Sequence, residues 1–207
     1  MTRDDMYKGI DWPDYTAESE EYTDLVSFKA LKYFITRDFE RINRKITFRK
    51  LMNSLMFEPG FKYVFWLRIT RYAFLKKKKA LPLFIAARAI LKHYAYKFHF
   101  DISYQAKILP GFAIGHWGFI IIQGSSVIGS NCFVRPGVVL GKKSVYDGGS
   151  QVIGDNVEFG KGAVCVGNIK IGSNVTVGAN SVVTHDVPDN CVVAGVPARI
   201  IRKVEKS

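Results

Sequence analysis

The sequence predicts a mainly β chain, a solenoid of short stacked strands, preceded by an α-helical N-terminal domain. Three observations carry this. From about residue 101, aliphatic residues followed by Gly recur every six positions. Before residue 101, apolar residues recur at three- and four-residue spacing with basic residues between them, the pattern of amphipathic helices. The two textures do not interleave. They divide the 207 residues into an acidic arm (1–24), a basic helical domain (25–100) and a repeat domain with a C-terminal tail (101–207).

The arm is polar, with eight acids and two bases. It lacks an apolar core segment and is not expected to be a signal peptide. The helical domain holds three helix-like stretches, "LVSFKALKYFITRDFERI", "EPGFKYVFWLRITRYAFL" after a Pro-Gly break, and "ALPLFIAARAILKHYAYKF" after "KKKK" at 76–79. It also carries the charge. Eighteen bases against three acids account for the excess of the whole chain, whose net charge is +12. Such a segment is a solvated helix face or a surface for an anionic partner, such as an acidic glycan or an anionic membrane. The longest apolar run, 80–90, is too short to span a bilayer. These features point to a cytoplasmic protein, with peripheral membrane contact open.

In the repeat domain the in-phase positions run Ile108, Ile114, Ile122, Ile128, Val134, Leu140, Ile153, Phe159, Cys165, Ile171, Val177 and Val183. Each is expected to point into the coil, and stacked coils then bury a continuous aliphatic ladder. The period breaks twice, with eight residues between Ile114 and Ile122 and thirteen between Leu140 and Ile153. Insertions in a regular repeat map to loops on one face, where binding residues concentrate. The three cysteines, Cys132, Cys165 and Cys191, have no metal-type spacing and read as free buried thiols.

These repeats, with "FDISYQAKILPGFAIGH", "GSSVIGSNCFVRPGVVLG" and the ending "VPDNCVVAGVPARII", resemble the hexapeptide-repeat acyltransferases. Within them the nearest resemblance is to the serine acetyltransferases and their polysaccharide O-acetyltransferase relatives. It covers roughly 101–201 firmly and the helical domain loosely. It implies a left-handed parallel β-helix, a homotrimer, and acetyl-coenzyme A as co-substrate, with no metal.

The resemblance also implies a site. His116 falls at the catalytic histidine, at the first repeat interruption, where an imidazole could take the proton of an acceptor hydroxyl. Asp101 falls at the carboxylate paired with it, which would fix its tautomer. Gly141, Lys161 and Ala179 match the coenzyme groove, and Lys142, Lys143 and Arg199 are candidates for its phosphates. Two departures concern the acceptor. Serine acetyltransferases carry an aspartate immediately before the histidine and an Arg-His pair in the long loop. Here Gly115, and Gly149 with Ser150, stand at those positions. Trp117, Tyr146 and Asp147 could instead meet a sugar, whose C–H faces suit aromatic rings. The expected function is an O-acetyltransferase acting on a sugar or polysaccharide, of the capsule or exopolysaccharide type. The alternatives are a serine acetyltransferase with an altered pocket, a zinc enzyme on the same fold, and a non-catalytic basic scaffold or nucleic-acid binder. A coil zinc site needs three ligands, and the coil offers two histidines, His116 and His185. A nucleic-acid partner is not expected, because it would leave Asp101 and His116 unexplained.

Overall fold

A computed structural model of the chain describes residues 24–43, 47–144 and 150–203. Four helices come first: α1 (Phe28–Ile42), α2 (Phe48–Phe57), α3 (Pro59–Leu75) and α4 (Leu81–Phe98). Their ends follow local chemistry. Ser27 Oγ accepts from the Ala30 N–H at 3.0 Å, and Thr47 Oγ1 from the Lys50 N–H at 3.3 Å, so each caps an orphan donor of its helix. Pro59 opens α3, where a missing N–H costs nothing. His99, left-handed at φ 60°, ends α4. The second helix is one more than the apolar pattern predicts. Ser54 is its buried residue, with Leu51 and Leu55 half-buried beside it, while Phe48, Met52, Met56 and Phe57 stay exposed.

The repeat domain then runs β1 (Phe100–Ile102), β2 (Lys107–Ile108), β3 (Ala113–Ile114), β4 (Ile120–Ile122), β5 (Val127–Ile128), β6 (Phe133–Val134), β7 (Val139–Gly141) and β8 (Gln151–Ile153). It continues with β9 (Glu158–Phe159), β10 (Val164–Val166), β11 (Ile169–Ile171), β12 (Thr176–Val177), β13 (Val182–Val183), β14 (Cys191–Gly195) and β15 (Ala198–Lys203). Every third strand stacks in parallel, giving a three-sided β-helix. The first face is β1-β4-β7-β10-β13, the second β2-β5-β8-β11, and the third β3-β6-β9-β12-β14, closed by antiparallel β15. All the in-phase residues from Ile108 to Val183 are buried, as the period predicts. The three cysteines are free and buried, and burial pushes the Cys132 and Cys165 thiols up to about 12.

Several glycines that follow inward residues lie directly against the next coil. A Cβ on Gly160 would lie 2.5 Å from the Ala179 nitrogen of the next coil, and one on Gly154 would lie 2.7 Å from the Ser173 nitrogen. Asparagines make the left-handed turns instead: Asn156, Asn174 and Asn190 all have φ near 55°. Their side chains form a ladder, Asn156 Nδ2 donating to Asn174 at 3.0 Å and Asn174 Nδ2 to Asn190 at 2.9 Å.

Two arginines of α3 fasten the helices to the first coil. Arg68 and Asp38 are both 1% exposed. The guanidinium donates to Asp38 at 2.7 and 3.0 Å and to the carbonyls of Ile108 and Leu109, while Asp38 accepts from the Gly111 and Phe112 N–H groups at 2.8 and 2.9 Å. Arg71 repeats the device, bonding Asp24 and the carbonyls of Tyr104, Gln105 and Ala106. Removing one end of the Arg68–Asp38 pair leaves a buried charge unpaired. Arg68→Met is therefore expected to lower stability by about 3–5 kcal/mol. Denaturant unfolding checks this, and a loss below about 1 kcal/mol would show that the clamp is dispensable.

Candidate active site

His116 lies in the loop 115–119, where the coil turns from the third face to the first. The loop is held from below, the Gly118 N–H donating to the Phe98 carbonyl and the Ile120 N–H to that of His99, both at 3.2 Å. The start of α3 presses against its entrance. A Cβ on Gly60 would lie 2.5 Å from the Ile114 carbonyl oxygen, so glycine alone permits this approach. Between the two is a cavity of about 240 Å³, lined by Ile42, Phe57, Glu58, Pro59, Gly60, Phe61, Ile114, Gly115, His116 and Trp117. Trp117 stands at its edge, 68% exposed. No Lys or Arg is among the described residues that line it.

Gly115 has a steric cause. A Cβ there would lie 2.7 Å from the tip of the Phe133 ring, so an aspartate before His116 would require that ring to shift.

Asp101 is exposed on β1. The β1–β4 register sets Asp101 opposite Ile121, five residues beyond the histidine. Asp101 lines a different cavity, of about 280 Å³, with Tyr63, Arg88, Lys92, Ser103 and Tyr104. Burial, with the Asp101 charge adding to it, pushes the Tyr63 hydroxyl well above the usual phenol range. Among the described residues no hydrogen bond or ion pair joins Asp101 to His116. The two-residue insertion between Ile114 and Ile122 places the histidine at a corner, and the aspartate lies on the first face.

The residues expected to meet the coenzyme divide. Lys161 and Ala179 occupy the same corner as His116 on later coils, joined by a backbone ladder. The Gly137 N–H donates to Phe119, Gly162 to Pro136 at 2.9 Å, and Asn180 to Lys161 at 2.8 Å. Arg199, exposed on β15 and paired with Ala194, adjoins that edge. Gly141 and exposed Lys142 and Lys143 lie at the opposite end of the first face, where the long loop begins. Tyr146, Asp147 and Gly149 lie outside the described residues.

Two site residues were not foreseen. Gln151, fully buried, donates to the Gly141 and Gly167 carbonyls at 2.7 and 2.6 Å and accepts from Gln123 and Ser126 at 3.0 Å each, so it pins the base of the long loop. Its position at the re-entry into the repeat was the available signal. Glu58 precedes Pro59 and faces the His116 cavity. A carboxylate at a Pro-Gly break was legible in the sequence, but where that break lands was not.

The repeat model described as "Hexapeptide repeat of succinyl-transferase" matches residues 120–152, 151–185 and 168–196. The chain is similar to a serine acetyltransferase of Synechococcus elongatus, 31% identical over 154 residues, which make up 74% of this chain and 61% of that one. It thus spans about three fifths of the length of this curated relative. It is also similar to the crystal structure of Neisseria gonorrhoeae serine acetyltransferase (TM-score 0.73, 28% identity, 86% of this chain and 67% of that one). A serine acetyltransferase from Brucella abortus in complex with coenzyme A matches with a TM-score of 0.68 and 25% identity, over 99% of this chain and 73% of that one.

Proposed function

We propose that this chain is a hexapeptide-repeat acyltransferase, an acetyl-coenzyme A-dependent O-acetyltransferase with His116 as its general base. The observation that carries this is the imidazole facing a cavity at the edge shared with Lys161 and Ala179. An acceptor hydroxyl in that cavity gives its proton to His116 as its oxygen attacks the thioester carbon. The thioester bond breaks, and coenzyme A leaves as the thiol once it recovers that proton. The neighbour bound to coenzyme A supports the donor.

For the acceptor, the relatives' names favour L-serine over a sugar. The cavity favours a sugar hydroxyl. It offers apolar rings, including Trp117, and no described cation for the serine carboxylate, which buried recognition normally pairs with Arg or Lys. A capsule-type polysaccharide acceptor rests on this chemistry alone. The deciding measurement is acetyl-coenzyme A turnover against L-serine, monosaccharides, amino sugars, nucleotide-activated sugars and oligosaccharides, read by mass spectrometry. Acetylated sugar is expected, with O-acetylserine absent or slow; rapid O-acetylserine formation would establish the serine reading. His116→Ala is expected to cost about a hundredfold to ten-thousandfold in turnover. Asp101→Asn is expected to cost less, and full turnover by the histidine variant would remove His116 from the mechanism.

We further propose a homotrimer. Outward on the first face stands a column of half-buried Ile121, Val139, Val164 and Val182, a stripe that three-fold packing would cover. Light scattering is expected to give three times the chain mass, and a monomer would refute this.

Peripheral attachment to an anionic surface rests on Lys77, Lys78 and Lys79, exposed on a 3₁₀ turn beside exposed Leu81, Leu83 and Ile85. Lys76 belongs to the fold, donating to the Val26 carbonyl at 2.7 Å. No described helix is long and apolar enough to cross a membrane. Reversing the charge of Lys77–Lys79 is expected to abolish co-sedimentation with phosphatidylserine vesicles at low salt while leaving coenzyme A affinity unchanged. Loss of coenzyme A affinity instead would assign these lysines to the donor.

A further inference from the structure

Glu58 stands at a position where a carboxylate ordinarily caps a helix, yet it does not cap α3. Its backbone is engaged, the N–H donating to Ser54 and the carbonyl accepting from Lys62, both at 3.0 Å. One carboxylate oxygen, Oε2, is buried and has no hydrogen-bond partner. A buried unpaired carboxylate oxygen costs free energy that the fold does not recover. Elsewhere α3 spends its charges on matched partners, Arg68 on Asp38 and Arg71 on Asp24.

The cavity that Glu58 faces is the one that His116 faces, and of the described residues lining it these two carry ionisable side chains. Among the described residues no hydrogen bond or ion pair joins the two, although both line the same cavity. At position 115 the coil can supply a carboxylate only by displacing the Phe133 ring. The N-terminus of α3 supplies one, because Gly60 lets it descend onto Ile114.

We propose that Glu58 is the acceptor-binding carboxylate of this protein, accepting a hydrogen bond from a hydroxyl or ammonium next to the hydroxyl that His116 deprotonates. The inference rests on the O-acetyltransferase reading and adds the specificity element to it. Acceptors presenting neutral or cationic donors to the cavity fit, and acceptors presenting an anion there are repelled.

The test compares wild type with Glu58→Gln in the full chain. The probes are acetyl-coenzyme A with L-serine, D-glucosamine, methyl α-D-glucopyranoside and the best acceptor from the panel above. Losing a hydrogen bond to a charged group is expected to raise the acceptor KM about ten- to a hundredfold. Coenzyme A affinity by calorimetry is expected to stay unchanged. The melting temperature is expected not to fall, because the variant loses an unpartnered charge. A lower melting temperature would make Glu58 structural and overturn the proposal. So would an unchanged acceptor KM. A fall in kcat with a displaced pH profile and an unchanged KM would make Glu58 a positioning residue for His116, also against the proposal. A wild type that acetylates no acceptor at all would refute the acyltransferase reading itself, and the proposal with it; an active wild type with an indifferent E58Q refutes the proposal alone.

Discussion

The arrangement of this protein depends on one buried guanidinium. Arg68 bonds Asp38 of α1 and the backbone of the first coil at Ile108 and Leu109, and Asp38 in turn takes the N–H groups of Gly111 and Phe112. The pair therefore ties two helices and one β-helix turn at a single point. A buried ion pair is weak evidence for stability, since desolvation offsets much of its attraction. Here its clearer consequence is geometric. With α3 fixed along the coil, its N-terminus rests on Ile114, and the cavity beside His116 has Glu58, Phe57 and Phe61 as its roof. The β-helix supplies the histidine, and the helices supply the wall that faces it.

The coil obeys a different constraint. Its inward ladder sets a six-residue period, and each coil lies so close to the next that residues such as Gly154 and Gly160 have no space for a side chain. A stack this tight tolerates change only at corners. The two insertions fall at corners, one carrying His116 and the other the loop that Gln151 anchors. Regularity of the stack and irregularity of the site thus have one cause: side chains that do not fit the ladder are expelled to the bends.

This explains what could be read before the structure. The β-helix was legible because its period is local and repeated, so every aliphatic position from Ile108 to Val183 reports the same fact. Three helices were legible from their spacing; α2 was not, since its inward side is short, with Leu51 and Leu55 half-buried beside Ser54. His116 was legible as the odd residue in an interruption. The pairing of Asp101 with it was not testable by eye, because it depends on the register of β1 against β4 across that interruption. Glu58 was hidden for a related reason. Its importance comes from where α3 lands, fixed by Arg68 and Gly60, and no local pattern around residue 58 encodes that.

The central claim is that acetyl transfer takes place in the cavity between the start of α3 and the loop 115–119. The most direct measurement is a crystal structure of the protein with coenzyme A bound. The account predicts the coenzyme running along the corner that carries Lys161 and Ala179, its sulfur reaching the mouth of the cavity beside His116 and Glu58. A sulfur at the cavity of Asp101, Arg88 and Lys92, or on a face away from His116, would contradict it.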